Sequence, residues 1–233
     1  APARGGFSGD GRAPASNFSQ AEYEVAVQRI RDYIAAGDVY QVNLSQRFEM
    51  GFSGDAYSLF LALYRMNPAP FFAFVNAGDH QVVSTSPERF LMRRGRRVET
   101  RPIKGTRPRG ATPEIDGAMR AALADSPKDD AELSMIVDLL RNDLGRACAG
   151  GSVKVTDHKR LEAYQNVYHL VSVVEGNLVD GKGSVALIRS TFPGGSITGC
   201  PKIRSMEIID ELESRRRHVY TGSIGYVGFH DTM

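Results

Sequence analysis

The sequence predicts an α+β fold with mostly antiparallel sheets. Short alternating segments between residues 70 and 103 indicate strands joined by tight turns. Two segments of helical periodicity, beginning near Ser19 and Ser126, interrupt the strands singly. Because strand and helix do not alternate regularly along the chain, a parallel sheet built from β-α-β units is not favoured.

The first predicted helix begins at SQAE, where Ser19 and Glu22 have the spacing of a capping box. Apolar residues follow at helical spacing, and Gly37 ends the run. The next segment, DVYQVNLSQRF (residues 38–48), alternates between apolar and polar residues. This alternation predicts a strand with one apolar face.

Four strands of one antiparallel meander are predicted from PFFAFVNAG, HQVVSTS, RFLMRRG and RRVETRPI. A second helix is predicted from Ser126, because Pro127 suits the first helical position and acidic residues follow in the first turn. The apolar stripe of this helix is Leu133, Ile136, Val137, Leu140 and Leu144. The stripe should face the core.

The remaining segments continue the mixed pattern. Strands are predicted at GSVKVTDH and NVYHLVSVVEGNL, and helices near residues 183–191 and 201–213. The last segment, YTGSIGYVGFHDTM, predicts a strand or hairpin. Ending there would leave a sheet edge unpaired, so we expect the fold to continue beyond Met233.

The composition sets bounds on the function. A formal net charge of +2 over 233 residues does not favour binding of nucleic acid by the whole molecule. Two cysteines without metal-ligand spacing favour neither a disulfide framework nor a zinc site, and no apolar run reaches the length of a membrane span. We therefore expect a cytoplasmic protein without membrane or nucleic-acid partners, in which residues 1–18, rich in small residues, are a flexible linker.

The most basic stretch, residues 89–109, contains eight arginines and Lys104 but only one acidic residue, Glu99. It could be a patch for nucleic acid or an acidic partner, a solvated loop, or the surroundings of a reactive amine. Glu88 and Lys104 each close a polar turn after a strand. A carboxylic acid and an amine brought together can act as general acid and nucleophile.

Two further segments carry possible chemistry. Glu132 flanks the apolar stripe of the second helix, where it is either a surface charge or an oxygen ligand for Mg²⁺. The sequence GGSITGCPK places hydroxyls and glycines before a helix. It is either a plain tight turn or a site for a carboxylate, since free amides at a helix N-terminus bind anions.

Six motifs in this order resemble the chorismate-utilising enzymes, and most closely the aminodeoxychorismate synthase branch (component I). They are GDVYQVNLSQRF, STSPERF, PIKGTRPRG, AELSMIVDLLRNDLGR, FPGGSITGCPKIRSMEIIDELE and YTGSIGYV. The resemblance implies a four-layer α/β/β/α fold of packed antiparallel sheets with outer helices. It also makes residues 19–233 part of a chorismate-binding catalytic domain that uses Mg²⁺.

The resemblance also implies roles for particular residues. Glu88 corresponds to the general acid and Glu132 to a magnesium ligand. Gln41 stands where water-adding members carry a lysine base, so ammonia is the expected nucleophile. Lys104 separates two branches: aminodeoxychorismate synthases with PIKGT use this lysine as a covalent nucleophile, whereas anthranilate synthases carry alanine in the loop. We expect the arginines to help keep Lys104 neutral.

The implied reaction converts chorismate into 4-amino-4-deoxychorismate, a precursor of p-aminobenzoate and folate. The lysine attacks C2 as the C4 hydroxyl leaves, and ammonia then attacks C4 and expels the lysine. A glutamine amidotransferase subunit would supply the ammonia. The runner-up is an anthranilate synthase component I.

Other residues of the matching motifs are expected to line the substrate pocket. They are Gly105, Thr106, His169, Ser196, Thr198, Gly199 and Tyr220. Family members carry a substrate arginine and a second magnesium glutamate in elements that correspond to sequence beyond Met233. We therefore expect residues 1–233 alone to be inactive or nearly so.

Overall fold

The computed structural model describes residues 5 to 233. The helices are α1 (Gln20–Ala35), α2 (Ala56–Met66), α3 (Pro113–Ala124), α4 (Pro127–Gly145), α5 (Ser184–Thr191) and α6 (Lys202–Leu212), with a 3-10 turn at Gly195–Ile197. The first seven strands are β1 (Phe7–Gly9), β2 (Ala15–Ser16), β3 (Gln41–Val42), β4 (Phe48–Glu49), β5 (Phe52–Gly54), β6 (Phe71–Asn76) and β7 (Gln81–Ser86). The others are β8 (Arg89–Arg94), β9 (Arg97–Arg101), β10 (Ile103–Pro108), β11 (Lys154–Ala163), β12 (Val167–Asn177) and β13 (Gly199–Cys200).

The chain forms two compact units. The first comprises Ala1–Asp38, Leu44–Pro87 and Ile208–Arg216, and the second comprises Val39–Asn43, Glu88–Glu207 and Arg217–Met233. Every paired strand lies antiparallel to its neighbour. The predicted α+β class is therefore confirmed. No helix within residues 5–233 has the length and apolar character needed to cross a membrane.

The first unit contains the predicted capping box. Ser19 accepts a hydrogen bond from the Glu22 backbone N–H, and the Glu22 side chain accepts one from the Ser19 N–H, at the start of α1. Residues 1–18 were expected to be a flexible linker, but part of this segment is paired in strands. Residues 1–4 lie outside the described part, but β1 pairs with β5 and β2 pairs with β4. Backbone hydrogen bonds therefore order part of this segment.

A hairpin of β6 and β7 also lies in the first unit. Aromatic rings of α2 contact this hairpin, with Tyr57 edge-on to Phe74 and Tyr64 edge-on to Phe72. The sequence did not lead us to predict α2 or, in the second unit, α3. Both begin at a side-chain cap, which is Asp55 for α2 and Thr112 for α3.

The second unit contains a five-stranded sheet centred on β12. One edge of β12 pairs with β11, while the other pairs with β10 in its first half and with β9 in its second half. β8 continues the sheet beside β9. Because β12 has neighbours on both edges, ten of its eleven residues are at least partly buried.

Helix α4 packs on this sheet and supplies much of its core. The five predicted stripe residues are all buried, and the helix starts at the predicted cap, Ser126. Leu133, Val137 and Leu144 pack in one cluster with residues of the sheet such as Val98 and Val174. Burying such side chains contributes about 1.5–3 kcal/mol each, so the helix is held firmly against the strands.

Two strand predictions are wrong in part. The expected meander of residues 70–103 is divided, because β6 and β7 form their own two-stranded sheet while β8 and β9 join the sheet around β12. Pro87, between β7 and β8, cannot donate a ladder hydrogen bond. The predicted strand at residues 38–48 is reduced to β3 and β4, two residues each.

The final segment forms the predicted strand or hairpin only in part, as isolated antiparallel bridges near its end. Tyr220 and Gly222 donate local backbone hydrogen bonds to Arg217 and Val219, and Gly228 pairs with Thr232. The last residues also pair with β8, because Arg93 and Met233 exchange two backbone hydrogen bonds and Gly95 N–H donates to the Asp231 carbonyl oxygen. A strand exists only through the hydrogen bonds of a neighbouring strand. Residues 220–227 have no such neighbour within the described part of the chain, and Ile224, Tyr226 and Val227 are exposed. Met233, which pairs with β8, packs against the core instead.

Candidate active site

Lys104 lies on β10, in the second unit. Its Nζ donates a hydrogen bond to the Ser196 carbonyl oxygen at 3.1 Å and lies 3.6 Å from Glu132 Oε1. The side chain is only 14% exposed. The lysine is therefore mostly buried beside polar groups and is not a solvated loop residue.

Glu88 lies immediately before β8 and faces the same turn as Lys104. The hydroxyl of Ser196 donates a hydrogen bond to Glu88 Oε2 at 3.3 Å. Burial raises the pKa of this carboxyl from 4.5 to about 7, although Ser196, the Lys104 charge and a backbone hydrogen bond from Ile103 act in the opposite direction. Near neutral pH a large fraction of Glu88 is thus protonated and able to donate a proton.

Ser196 joins these two groups. Its carbonyl oxygen accepts from Lys104 while its hydroxyl donates to Glu88. The structure therefore brings the predicted nucleophile and the predicted acid to one residue of the glycine-rich turn.

Glu132 and Gln41 form the adjoining side of the site. Gln41 Nε2 donates a hydrogen bond to Glu132 Oε1 at 2.7 Å, so β3 and α4 meet at this point. The other amide atom of Gln41, Oε1, is buried and has no hydrogen-bond partner within residues 5–233. A buried acceptor without a donor is costly, and a bound molecule with an N–H or O–H group would satisfy it.

The glycine-rich turn is held tightly against its neighbours. Gly199 has a φ of +140° and pairs with Val42, and a Cβ at this position would collide with the Gln41 carbonyl oxygen. The hydroxyl of Thr198 is buried and donates to the Gly194 carbonyl oxygen at 3.1 Å. The turn thus depends on a glycine where two backbones touch.

We expect Gly199→Ala to destabilise the protein by at least about 2 kcal/mol, because the alanine would be strained at this φ and would push β13 away from β3. Chemical denaturation measures this loss. Gly225→Ala is a suitable control, since a Cβ there meets nothing within 4 Å. Equal stability of the two variants would contradict the prediction.

His169 and Thr106 form a second polar pair, on β12 and β10. Thr106 Oγ1 lies 2.9 Å from His169 Nδ1, and burial lowers the pKa of the histidine. Between Lys104 and Thr106 the register shifts at Gly105, which has a φ of +74°. A Cβ at Gly105 would lie 2.9 Å from Asp129 and Leu123, so the bulge also requires glycine.

The arrangement agrees with the family to which the sequence is similar. A model of the family described as "chorismate binding enzyme" matches residues 10–233. The chain belongs to this family. The α+β architecture around Lys104, Glu88 and Glu132 is therefore that of a chorismate-binding enzyme.

Individual family members give closer comparisons. The chain is 50% identical over 218 residues to aminodeoxychorismate synthase component 1 of Klebsiella aerogenes, covering 94% of this chain and 48% of that protein. It is 48% identical over 214 residues to an anthranilate synthase component 1 of Haloarcula marismortui, covering 92% of this chain and 44% of that protein. The chain thus spans about half the length of the curated relatives it matches.

A solved structure supports the same fold. Anthranilate synthase component I of Streptococcus pneumoniae TIGR4 superposes with a TM-score of 0.85 and 34% identity over 99% of this chain and 49% of that one. The chorismate-utilising fold predicted from the motifs is confirmed.

In this member of the chorismate-binding family, Glu132 alone is a poor magnesium site. Within residues 5–233 no three His, Cys, Asp or Glu side chains come together as a metal-binding group. Glu132 offers one carboxylate, and Oε1 of that carboxylate already accepts from Gln41. Mg²⁺ requires near-octahedral oxygen coordination. The described residues therefore do not fit the ion by themselves.

The basic segment of this family member is largely neutralised. Of its eight arginines, seven form ion pairs within the described residues, with carboxylates at Glu99, Asp116, Asp129, Glu175, Asp180 and Asp231. Most of these carboxylates come from distant parts of the sequence. The charged group next to Lys104 is Glu132, so the expected role of the arginines as a field around the lysine is not supported, and neither is a free basic patch.

Tyr220 is the one candidate that the structure leaves apart from the others. Its side chain belongs to the exposed final segment and is not joined to the other candidates by a hydrogen bond or ring contact in the described part of the chain. Its pocket role stays a prediction.

Sequence reasoning missed two residues that hold the turn. Asn43 donates from Nδ2 to the Ser196 carbonyl oxygen at 3.3 Å, and Arg217 donates to the Ile197 carbonyl oxygen at 2.9 Å. Both contacts are made to backbone oxygens from distant positions in the sequence. Asn43 lies within the first matching motif, but nothing in its neighbours indicated this contact.

Proposed function

We propose that the full-length protein converts chorismate into 4-amino-4-deoxychorismate, with Lys104 as nucleophile and Glu88 as general acid. The observation that carries this proposal is the shared contact of both residues with Ser196. Their common site in a chorismate-binding family member, together with the 50% identity to an aminodeoxychorismate synthase component 1, supports it.

In the first step the Lys104 amine attacks C2 of the ring, both ring double bonds shift, and the bond from C4 to its hydroxyl breaks. Glu88 protonates that hydroxyl, so water leaves, and its pKa of about 7 suits proton donation near neutral pH. The proton lost by the attacking amine passes to an acceptor; Glu132 Oε1, 3.6 Å from Nζ, is the nearest carboxylate oxygen.

In the second step ammonia attacks C4, both double bonds shift back and the bond between C2 and the Lys104 amine breaks. Glu132 returns its proton to the departing amine, and a proton of the attacking ammonia restores the acid form of Glu88. One difficult displacement thereby becomes two easier ones. The amide of Gln41 is neutral and is a weaker base than the lysine expected in water-adding members. This residue therefore favours an incoming ammonia over an activated water.

The ammonia is proposed to come from a glutamine amidotransferase partner, as the name "component 1" of the relatives suggests. Burial raises the pKa of both Cys148 and Cys200, so neither thiol of this chain has the lowered pKa of a reactive cysteine. Mg²⁺ stays a proposed cofactor, with Glu132 as one ligand and the others supplied from elsewhere.

Incubation of the full-length protein with chorismate, Mg²⁺ and ammonium salt tests the proposal. We expect ammonium-dependent loss of chorismate and a product with the mass of 4-amino-4-deoxychorismate, and chelation of Mg²⁺ should stop the reaction. A fluorescent product with the mass of anthranilate would instead support the second candidate. That candidate rests on the 48% identity to the anthranilate synthase component 1 of Haloarcula marismortui.

A further inference from the structure

A buried ion pair closes the base of the glycine-rich turn. Lys202, at the start of α6, pairs with Asp143 near the end of α4 and also donates a hydrogen bond to the Thr191 carbonyl oxygen at 2.8 Å. The two side chains are only 12% and 4% exposed. Lys202 thus ties together both ends of the segment between Thr191 and Lys202 and anchors them to α4.

The tied segment contains Ser196. On one side it packs on α4, where a Cβ at Gly195 would collide with Leu139. On the other side Asn43 and Arg217 bind its backbone oxygens. The ion pair is separate from these contacts of the turn, and it touches neither Lys104 nor Glu88.

A buried ion pair is poorly explained by stability alone. Removing two charges from water costs about as much as their attraction returns, and apolar replacements of such pairs are often neutral or stabilising. Burial raises the pKa of Asp143 even with Lys202 and Arg146 nearby, which shows that desolvation is considerable here. A pair of this kind is more useful for fixing one geometry than for strengthening the fold.

We propose that Asp143 and Lys202 are positioning residues, which hold the turn so that Ser196 engages Glu88 and Lys104 together. This inference rests on the proposed function, because it assigns the pair a role in the amination site. Without the tie, the segment loses its anchor at Asp143 and keeps only its other contacts. We expect the Ser196 hydroxyl then to move away from the Glu88 carboxylate.

The predicted consequence has a definite sign while the Glu88 side chain stays buried. Burial is the largest influence on the pKa of Glu88 and raises it. Lys104, the Ser196 hydroxyl and the Ile103 backbone N–H act in the opposite direction and favour the ionised form. Loss of the Ser196 contact therefore raises the pKa of Glu88. The pH at which activity falls on the alkaline side should move upward.

The test compares full-length wild-type protein with Asp143→Asn/Lys202→Met, in which neither charge remains. In the pH profile of kcat, we expect the alkaline limb, where kcat falls as Glu88 loses its proton, to shift to higher pH by about half a unit. The maximal kcat should fall about tenfold. Ser196→Ala should move the limb in the same direction, and adding Ser196→Ala to the double variant should move it no further. A matched control is Asp130→Asn/Lys159→Met, an ion pair between α4 and β11, which should leave the limb in place.

A folded double variant with the wild-type limb and kcat would overturn the inference. If this variant does not fold, Asp143→Asn/Lys202→Gln replaces it, because it leaves no unpaired buried charge and glutamine is one atom too short to restore the tie. The same upward shift is expected, and a wild-type profile would likewise overturn the idea. Titration of the Glu88 carboxyl by ¹³C NMR, assigned with Glu88→Gln, separates the two proposals. Absence of amination by wild-type protein refutes the proposed function, whereas an unchanged Glu88 titration in the variants refutes the positioning role.

Discussion

Lys104→Ala in the full-length protein is expected to lower the rate of 4-amino-4-deoxychorismate formation by about 10³-fold or more. The reason is that alanine has no amine to form the bond to C2, which removes the covalent route altogether. The loss should appear in kcat, measured by product formation from chorismate and ammonium.

The Lys104→Arg variant shows whether Lys104 forms a covalent bond or only supplies a positive charge to the site. Arginine keeps a cation and donors near the Ser196 carbonyl and Glu132, but it stays protonated and cannot attack. We expect this variant to be as inactive as Lys104→Ala. Near-wild-type activity of either variant would show that the lysine is not the nucleophile.

Intact mass spectrometry provides a second measurement. Without ammonia, wild-type protein incubated with chorismate should gain the mass of one chorismate less one water. Neither Lys104 variant should gain it. Lys159→Arg is a control, because this lysine pairs with Asp130 away from the turn.

Glu88→Gln is expected to reduce kcat by about 10²–10⁴-fold, the usual contribution of a positioned general acid. Glutamine retains the shape of the side chain and an oxygen that accepts from Ser196, but it has no proton to give to the leaving hydroxyl. The wild-type alkaline limb near pH 7 should also be absent from the residual activity. Full activity with an unchanged limb would assign the acid to another group.

The same residue should affect the stability. The pKa of Glu88 is raised from 4.5 to about 7 on folding, so the folded state binds the proton more tightly than the unfolded state. Its stabilising contribution is fully present below pH 4.5 and is lost as the pH rises through about 7. The free energy of unfolding of wild-type protein should thus fall by on the order of 3 kcal/mol over this range, relative to Glu88→Gln.

Chemical denaturation at pH 5 and pH 8 measures this difference. Glu114→Gln is the control, since Glu114 is exposed on the first turn of α3. If wild-type protein and Glu88→Gln respond equally to pH, Glu88 does not titrate as the structure indicates.

Local sequence signals were sufficient for some helices. The cap and stripe of α4 and the capping box of α1 act within a few residues, so both helices could be predicted. Helix α3 offered a similar signal, with Thr112 as cap and Pro113 in the first turn, and could have been found. Helix α2 offered a local signal too, since Asp55 caps its first turn, and it could also have been found.

Strand predictions failed where the neighbouring strand decides whether a segment becomes a strand and which sheet it joins. The alternation in residues 220–229 identifies residues that suit a strand, but hydrogen bonds to a neighbour are needed to form one. The division of the expected meander has a similar origin. Alternation shows which residues share a face, whereas it does not show which strands pair.

The sequence predicted which residues form the candidate site, but it did not predict the contacts that they make. The motifs led to Lys104, Glu88, Glu132 and Gln41. However, the lysine binds a backbone carbonyl 92 positions away, and every residue type has such a carbonyl. The link between Gln41 and Glu132 spans 91 positions. No periodic pattern extends over such separations, so only the folded chain reveals these contacts.

Strand β12 has a consequence for synthesis of the protein on the ribosome. β9 and β10 both need β12 as a partner, yet roughly sixty residues separate β10 from β12, which is several seconds of translation at ordinary rates. During that interval the emerging sheet has open edges on which other chains can pair. A slow codon or a delayed chaperone in this interval would therefore harm the yield of native protein more than a similar delay after Asn177.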